Sequence, residues 1–154
     1  MNEPQTDFKE PLSRTHQAIL IGGDLLVIIS FVLIGRSSHS LSTTDIVADL
    51  TTALPFIIAW LLVTPWFGIY KSDVGQSWRK LVPRLIPAWA IAVPVGLVLR
   101  AVFLGRPIPG GIIPTFALIS MTYIGLVTLI WRLAYIWWIN RTTKHSAKVR
   151  GAEL

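Results

Sequence analysis

The chain has 154 residues, 53 % of them hydrophobic and only 14 % charged, with a mean hydropathy of +0.60. A water-soluble domain of this size rarely carries so much apolar surface, so the composition points to an integral membrane protein. The net charge of +6 gathers in loops beside apolar runs, which suits orientation against an anionic leaflet rather than nucleic acid, and the absence of cysteine excludes disulfide and thiolate chemistry.

Residues 1–16 mix acids, bases and two prolines without apolar periodicity and read as a short cytoplasmic arm. The first span, 17–35, closes on Arg36 and carries one carboxylate, Asp24. Its acidic leader, long apolar run and lack of a small-x-small cleavage site favour a retained helix over a signal peptide. A charge costs roughly 2.5 to 3.5 kcal/mol at the centre of a membrane helix, so Asp24 is expected to be paired.

A polar connector, SSHSLSTTDIVADL, follows, in which Asp45 is placed to cap a helix beginning at Ile46. The second span, 51–70, has about the ~20 residues a crossing needs and tolerates Pro55 and Pro65, with Trp66 and Tyr70 placed in an interfacial belt. Residues 71–84 are basic and broken by Gly75 and Pro83, which predicts a loop. In the third span, 85–104, Pro94 predicts a bend, and Ala88, Ala92 and Gly96 recur every four residues as a surface for close helix approach. The turn GRPIPGG makes the fourth span, 112–139, an antiparallel neighbour. Residues 140–154 form a basic tail, disordered or lying on the membrane surface and suited to anionic lipids.

Four spans put Lys9, Arg14, Lys71, Arg79, Lys80, Arg84, Arg132, Arg141, Lys144, Lys148 and Arg150 on one side, against Arg36, Arg100 and Arg106. The positive-inside rule then places both termini in the cytoplasm of a plasma (inner) membrane. A three-span arrangement would split the basic loops across the bilayer, and no internal repeat supports an inverted-repeat transporter.

Asp24 sits about seven residues from the cytoplasmic end of its span and Arg132 about seven from Ile139, so at ~1.5 Å per residue they share a depth. An intramembrane ion pair that locks helices is the simpler reading, and a proton or ion path through Asp24 is its rival. Toward the other face, Arg36, Ser38, His39, Asp49 and Arg100 form a candidate polar cluster. It could hold an anionic headgroup or carboxylate, unless Asp45 and Asp49 simply neutralise the arginines. No two of His16, His39 and His145 share the depth a bis-His haem needs, and Ser38 with His39 lacks an orienting acid. No cofactor, metal or catalytic set is expected. Trp66, Trp78, Trp89, Trp131, Trp137 and Trp138 read as anchors near the cytoplasmic boundary.

Asp24 in the first span, GRSSH at 35–39, TALPF at 52–56 with Trp60 after it, Arg100 ending the third span and Trp131-Arg132 together resemble the DUF3054 family of small four-helix membrane proteins. The resemblance covers about Asp24 to Arg132. It implies the topology and marks Asp24, Arg36, Ser38, His39, Arg100 and Arg132, without implying a reaction. The expectation is an all-α bundle of four transmembrane helices, acting as a structural or accessory membrane subunit, alone or in a homo-oligomer or larger membrane complex. A small transporter or a lipid- or anion-binding protein using Arg36, His39 and Arg100 is the alternative.

Overall fold

The structure is a computed structural model that describes residues 14–38, 46–71, 73–75 and 77–150. The amino-terminal arm as far as residue 13, His39 and Asp45 lie outside the described residues. Four helices follow in order: α1 (Arg14–Ser38), α2 (Ile46–Val63), α3 (Trp78–Phe103) and α4 (Pro114–Arg150). Among the described residues there are no strands. The candidate spans run for 24, 22, 26 and 29 residues, the second of them including the short turn that follows α2, and each is long enough to cross a hydrocarbon core about 30 Å thick.

The distribution of polarity agrees with that length. Large apolar side chains such as Leu26, Leu62, Leu118 and Ile130 face outward, while Asp24, Arg132, Thr64, Ser120 and Thr128 are buried. A charged interior under an apolar exterior suits lipid as solvent, because side chains that cannot be hydrated must find partners within the bundle. The protein is therefore a multi-pass membrane protein with an all-α bundle.

Aromatic packing fills the half of the bundle where α1 and α3 end. Phe31 of α1 meets Phe56 of α2 with ring centroids 5.9 Å apart, and both meet Phe116 of α4 at 5.8 and 6.2 Å. Gly96 of α3 lets this layer form: an added Cβ there would come within 2.7 Å of the Phe56 ring. Ala92 and Ala88, one and two turns earlier, are buried in the same core. Two turns before Gly96, Trp89 of α3 turns inward to donate to the Met121 carbonyl at 2.9 Å, so it is a helix–helix tie rather than a boundary anchor. Its ring occupies the space that a side chain on Gly125 would need.

Several element limits differ from those expected. The α2 helix stops at Val63, because Pro65 has no N–H to continue the ladder, and a 3₁₀ turn over Thr64–Phe67 takes over. Gly68 then adopts φ 60°, a left-handed conformation that turns the chain back against the bundle, and buries Ile69 and Val74. The α3 helix begins at Trp78 and runs through Pro83 and Pro87, where a loop was expected up to residue 84. Burial of Leu81 and Leu85 supplies packing that outweighs the lost backbone bonds. Asp73 in the preceding connector accepts from Lys80 at 3.2 Å. Its slight burial pushes the carboxyl upward, but the Lys80 hydrogen bond and charge, with Arg84, reverse this and hold it below the ordinary carboxylate range.

The α3 helix ends in a Schellman motif: Gly105 has φ 62°, its N–H donates to Val102, and the Arg106 N–H reaches Ala101 at 2.9 Å. Pro114, whose fixed φ suits a first turn, opens α4. That helix continues past Ile139 to Arg150, so most of the basic tail extends a helix, and residues 151–154 lie outside the description.

Replacing Gly96 by Leu is expected to overpack the Phe56 layer and lower stability by about 1 to 3 kcal/mol. Thermal unfolding in detergent reads this directly. An unchanged midpoint would mean that α2 and α3 separate freely at this level.

Candidate functional site

Asp24 stands midway along α1 between two turns of apolar residues, and its side chain is shut off from solvent. Arg132 reaches it from α4, with side-chain exposure of 1 %. The guanidinium forks onto the carboxylate: Nε donates to Oδ1 at 3.0 Å and Nη2 to Oδ2 at 2.5 Å. This side-on geometry matches two parallel N–H bonds to two oxygens, the strongest arrangement open to such a pair.

Three further donors complete the carboxylate. Trp131, the neighbour of Arg132 on α4, donates Nε1–H to Oδ1 at 3.2 Å. Trp60 of α2 donates to Oδ2 at 3.2 Å and shares that proton with the Tyr70 hydroxyl oxygen at 3.0 Å. The Tyr70 hydroxyl donates to Oδ2 at 2.8 Å. The remaining Arg132 nitrogen, Nη1, donates to the Ile69 carbonyl at 3.0 Å, and the guanidinium lies 4.9 Å from the centre of the Tyr70 ring.

Backbone features put these groups in place. Gly68 turns the chain after α2 so that the Ile69 carbonyl and Tyr70 side chain come back to the bundle interior. Thr64, buried, returns its hydroxyl proton to the Trp60 carbonyl at 2.6 Å and caps the backbone just before the turn. Gly23, beside Asp24, leaves room for the Trp131 ring, which an added Cβ would overlap. His16 Nδ1, two turns before Asp24, and the Tyr135 hydroxyl, one turn after Arg132, are 2.5 Å apart, and Tyr135 packs on Trp131 with centroids 5.4 Å apart.

Thus the structure brings Asp24 and Arg132 together and surrounds them with Trp60, Tyr70 and Trp131, which sequence reasoning did not assign to the site. Tyr70 and Trp131 had been read as interfacial, yet both side chains turn into the bundle to donate to Asp24. A usable signal was present in the adjacency of Trp131 to Arg132.

At the opposite end, Arg36 of α1 forms an ion pair with Asp49 in the first turn of α2. Arg100 lies over the Phe116 ring, 4.5 Å from its centre, and its Nε is buried without a hydrogen-bond partner. Among the described residues Arg100 makes no ion pair, so it does not join Arg36 and Asp49 through one. Ser38 is the last residue of α1; its side chain, like His39, lies outside the description. Among the described residues no three of His, Asp and Glu form a metal-binding group.

Gly23→Ala is expected to displace the Trp131 indole from Asp24 and cost stability, whereas Gly22→Ala, with open space at its Cβ position, is expected to be neutral. Trp131→Phe, which removes one hydrogen bond to a charged group, is expected to cost about 1.5 to 3 kcal/mol. Melting of the three variants in detergent checks the series, and equal effects of the two alanines would contradict it.

A comparison with curated proteins finds no match, and neither does one with solved structures. A family model described as a protein of unknown function (DUF3054) matches residues 21–135, a stretch that begins just before Asp24 and ends just after Arg132. With well over half of its length matched, and with the four-helix bundle in place, the chain belongs to the DUF3054 family.

Proposed function

We propose that the protein is a small structural or accessory subunit of a plasma (inner) membrane, held rigid by the Asp24–Arg132 pair, with both termini in the cytoplasm. The observation that carries this reading is the closure of the cluster. Asp24 accepts five hydrogen bonds from Trp60, Tyr70, Trp131 and Arg132, and its side chain has no exposed surface. A relay group must exchange partners with water during its cycle, and a carboxylate without exposed surface, held on both oxygens by an arginine, two indoles and a phenol, has no free position for one. The arrangement serves to join α1, α2 and α4 at one level.

The orientation rests on the eleven basic residues assigned to one side against three on the other. A homo-oligomer or a larger membrane complex would use the outward apolar faces, and anionic lipids would gather at the basic segment 140–154. A second reading, a transporter or anion-binding protein working from the opposite end, draws on Arg100, whose buried Nε lacks a partner.

Reconstitution into sealed vesicles under a pH gradient separates the structural reading from a proton path through Asp24. The structural reading predicts proton flux equal to that of protein-free vesicles, unchanged by Asp24→Asn. Flux above that background, abolished by Asp24→Asn, would overturn it in favour of proton handling.

A further inference from the structure

Where α3 begins and α4 leaves the bundle, a groove of about 400 Å³ opens between the two helices, lined by Trp78, Leu133, Ile136, Trp137, Asn140 and Arg141. Its chemistry is graded along α4: Leu133 and Ile136 form an apolar floor, and one turn further Asn140 and Arg141 form a polar rim. Both tryptophans are about half exposed, at 56 % each. Each carries an arginine, Arg79 over Trp78 at 5.5 Å and Arg141 over Trp137 at 3.9 Å.

Stacking engages the face of a guanidinium and leaves its in-plane N–H groups free to fork onto an oxyanion. Among the described residues neither Arg79 nor Arg141 makes an ion pair. The nearby connector offers Asp73, but Lys80 and Arg84 already hold it at 3.2 and 3.9 Å. Beyond the groove the sequence adds Lys144, Lys148 and Arg150. The rim therefore has a cationic surplus beside an apolar floor, at the level where tryptophans mark the edge of the span.

We propose that this groove binds an anionic glycerophospholipid, with its phosphate on Arg141, Asn140 and Arg79 and an acyl chain along Leu133 and Ile136. A zwitterionic lipid would bring an ammonium against the arginines and lose the advantage of charge. The acyl chain separates a lipid from free phosphate, which would engage the rim alone. The inference takes from the proposed function only the gathering of anionic lipid at this end of α4, and a binding measurement in detergent does not depend on topology or on the Asp24–Arg132 pair.

The test is native mass spectrometry of the full chain in detergent, titrated in turn with phosphatidylglycerol, phosphatidylcholine and inorganic phosphate. One phosphatidylglycerol is expected to be retained with about tenfold preference over phosphatidylcholine, the scale of one charge-assisted contact. Arg141→Gln is expected to remove that preference. Leu133→Trp, which fills the floor and leaves the charges, is expected to weaken retention of both lipids, and Arg106→Gln, at the other end of the bundle, to change nothing. Melting curves confirm that each variant is folded; if Arg141→Gln is not, Asn140→Leu takes its place. Equal retention of the two lipids, preference that survives Arg141→Gln, or inorganic phosphate competing as well as lipid would each overturn the proposal.

Discussion

A carboxylate and a guanidinium inside an apolar bundle impose the constraint to which the other elements conform. Either charge alone would cost a membrane helix roughly 2.5 to 3.5 kcal/mol, and burying both is favourable only if geometry and hydrogen bonding are nearly complete. The fold meets that condition by bringing hydrogen-bond partners from three places. The α4 helix supplies Trp131 and Arg132, α2 supplies Trp60, and the turn after α2 supplies Tyr70 and the Ile69 carbonyl. Gly68 and Gly23 are the backbone conditions for this, one by turning the chain and the other by leaving room for an indole. The α3 helix takes no part in the cluster; it is fastened by apolar packing of Ala88, Ala92 and Gly96 and by the Trp89–Met121 tie.

The four helices were legible because each apolar run approaches the length of a crossing and the connectors are polar or rich in Pro and Gly. Asp24 and Arg132 could be matched through expected depth alone, since each stands about seven residues from one end of its expected span. The aromatic shell was not. Tryptophan and tyrosine near a span end serve equally well as interfacial anchors or as donors to a buried anion, and nothing in Tyr70 or Trp131 taken singly distinguishes the two. The start of α3 was misplaced because Pro83 breaks a helix by local preference, whereas Leu81 and Leu85 hold it by tertiary packing, which sequence does not display. The inward turn of Ile69 and Tyr70 depends on a left-handed Gly68, and glycine marks freedom to turn without giving the direction.

The two ends of the bundle handle charge differently. At one, Arg36 and Asp49 satisfy each other across α1 and α2, and Arg100 is parked on an aromatic face. At the other, Asp73 is taken by Lys80 and Arg84, while Arg79 and Arg141 rest on tryptophans with their edges open. The buried centre and the groove between α3 and α4 thus differ in kind, one internal with its hydrogen bonds complete, the other at the surface with arginines resting on tryptophan rings.

A double-mutant cycle in detergent addresses the central claim most directly, with Asp24→Asn, Arg132→Gln and the two together compared by thermal or denaturant unfolding. Each single change should be destabilising, by up to ~3 to 5 kcal/mol for an uncompensated buried charge, with membrane reference states reducing the figure. The double variant should recover part of the loss, giving a coupling energy well above the ~0.5 kcal/mol scatter of independent sites. Losses that simply add would contradict the account, because Asp24 and Arg132 would then be held by other groups.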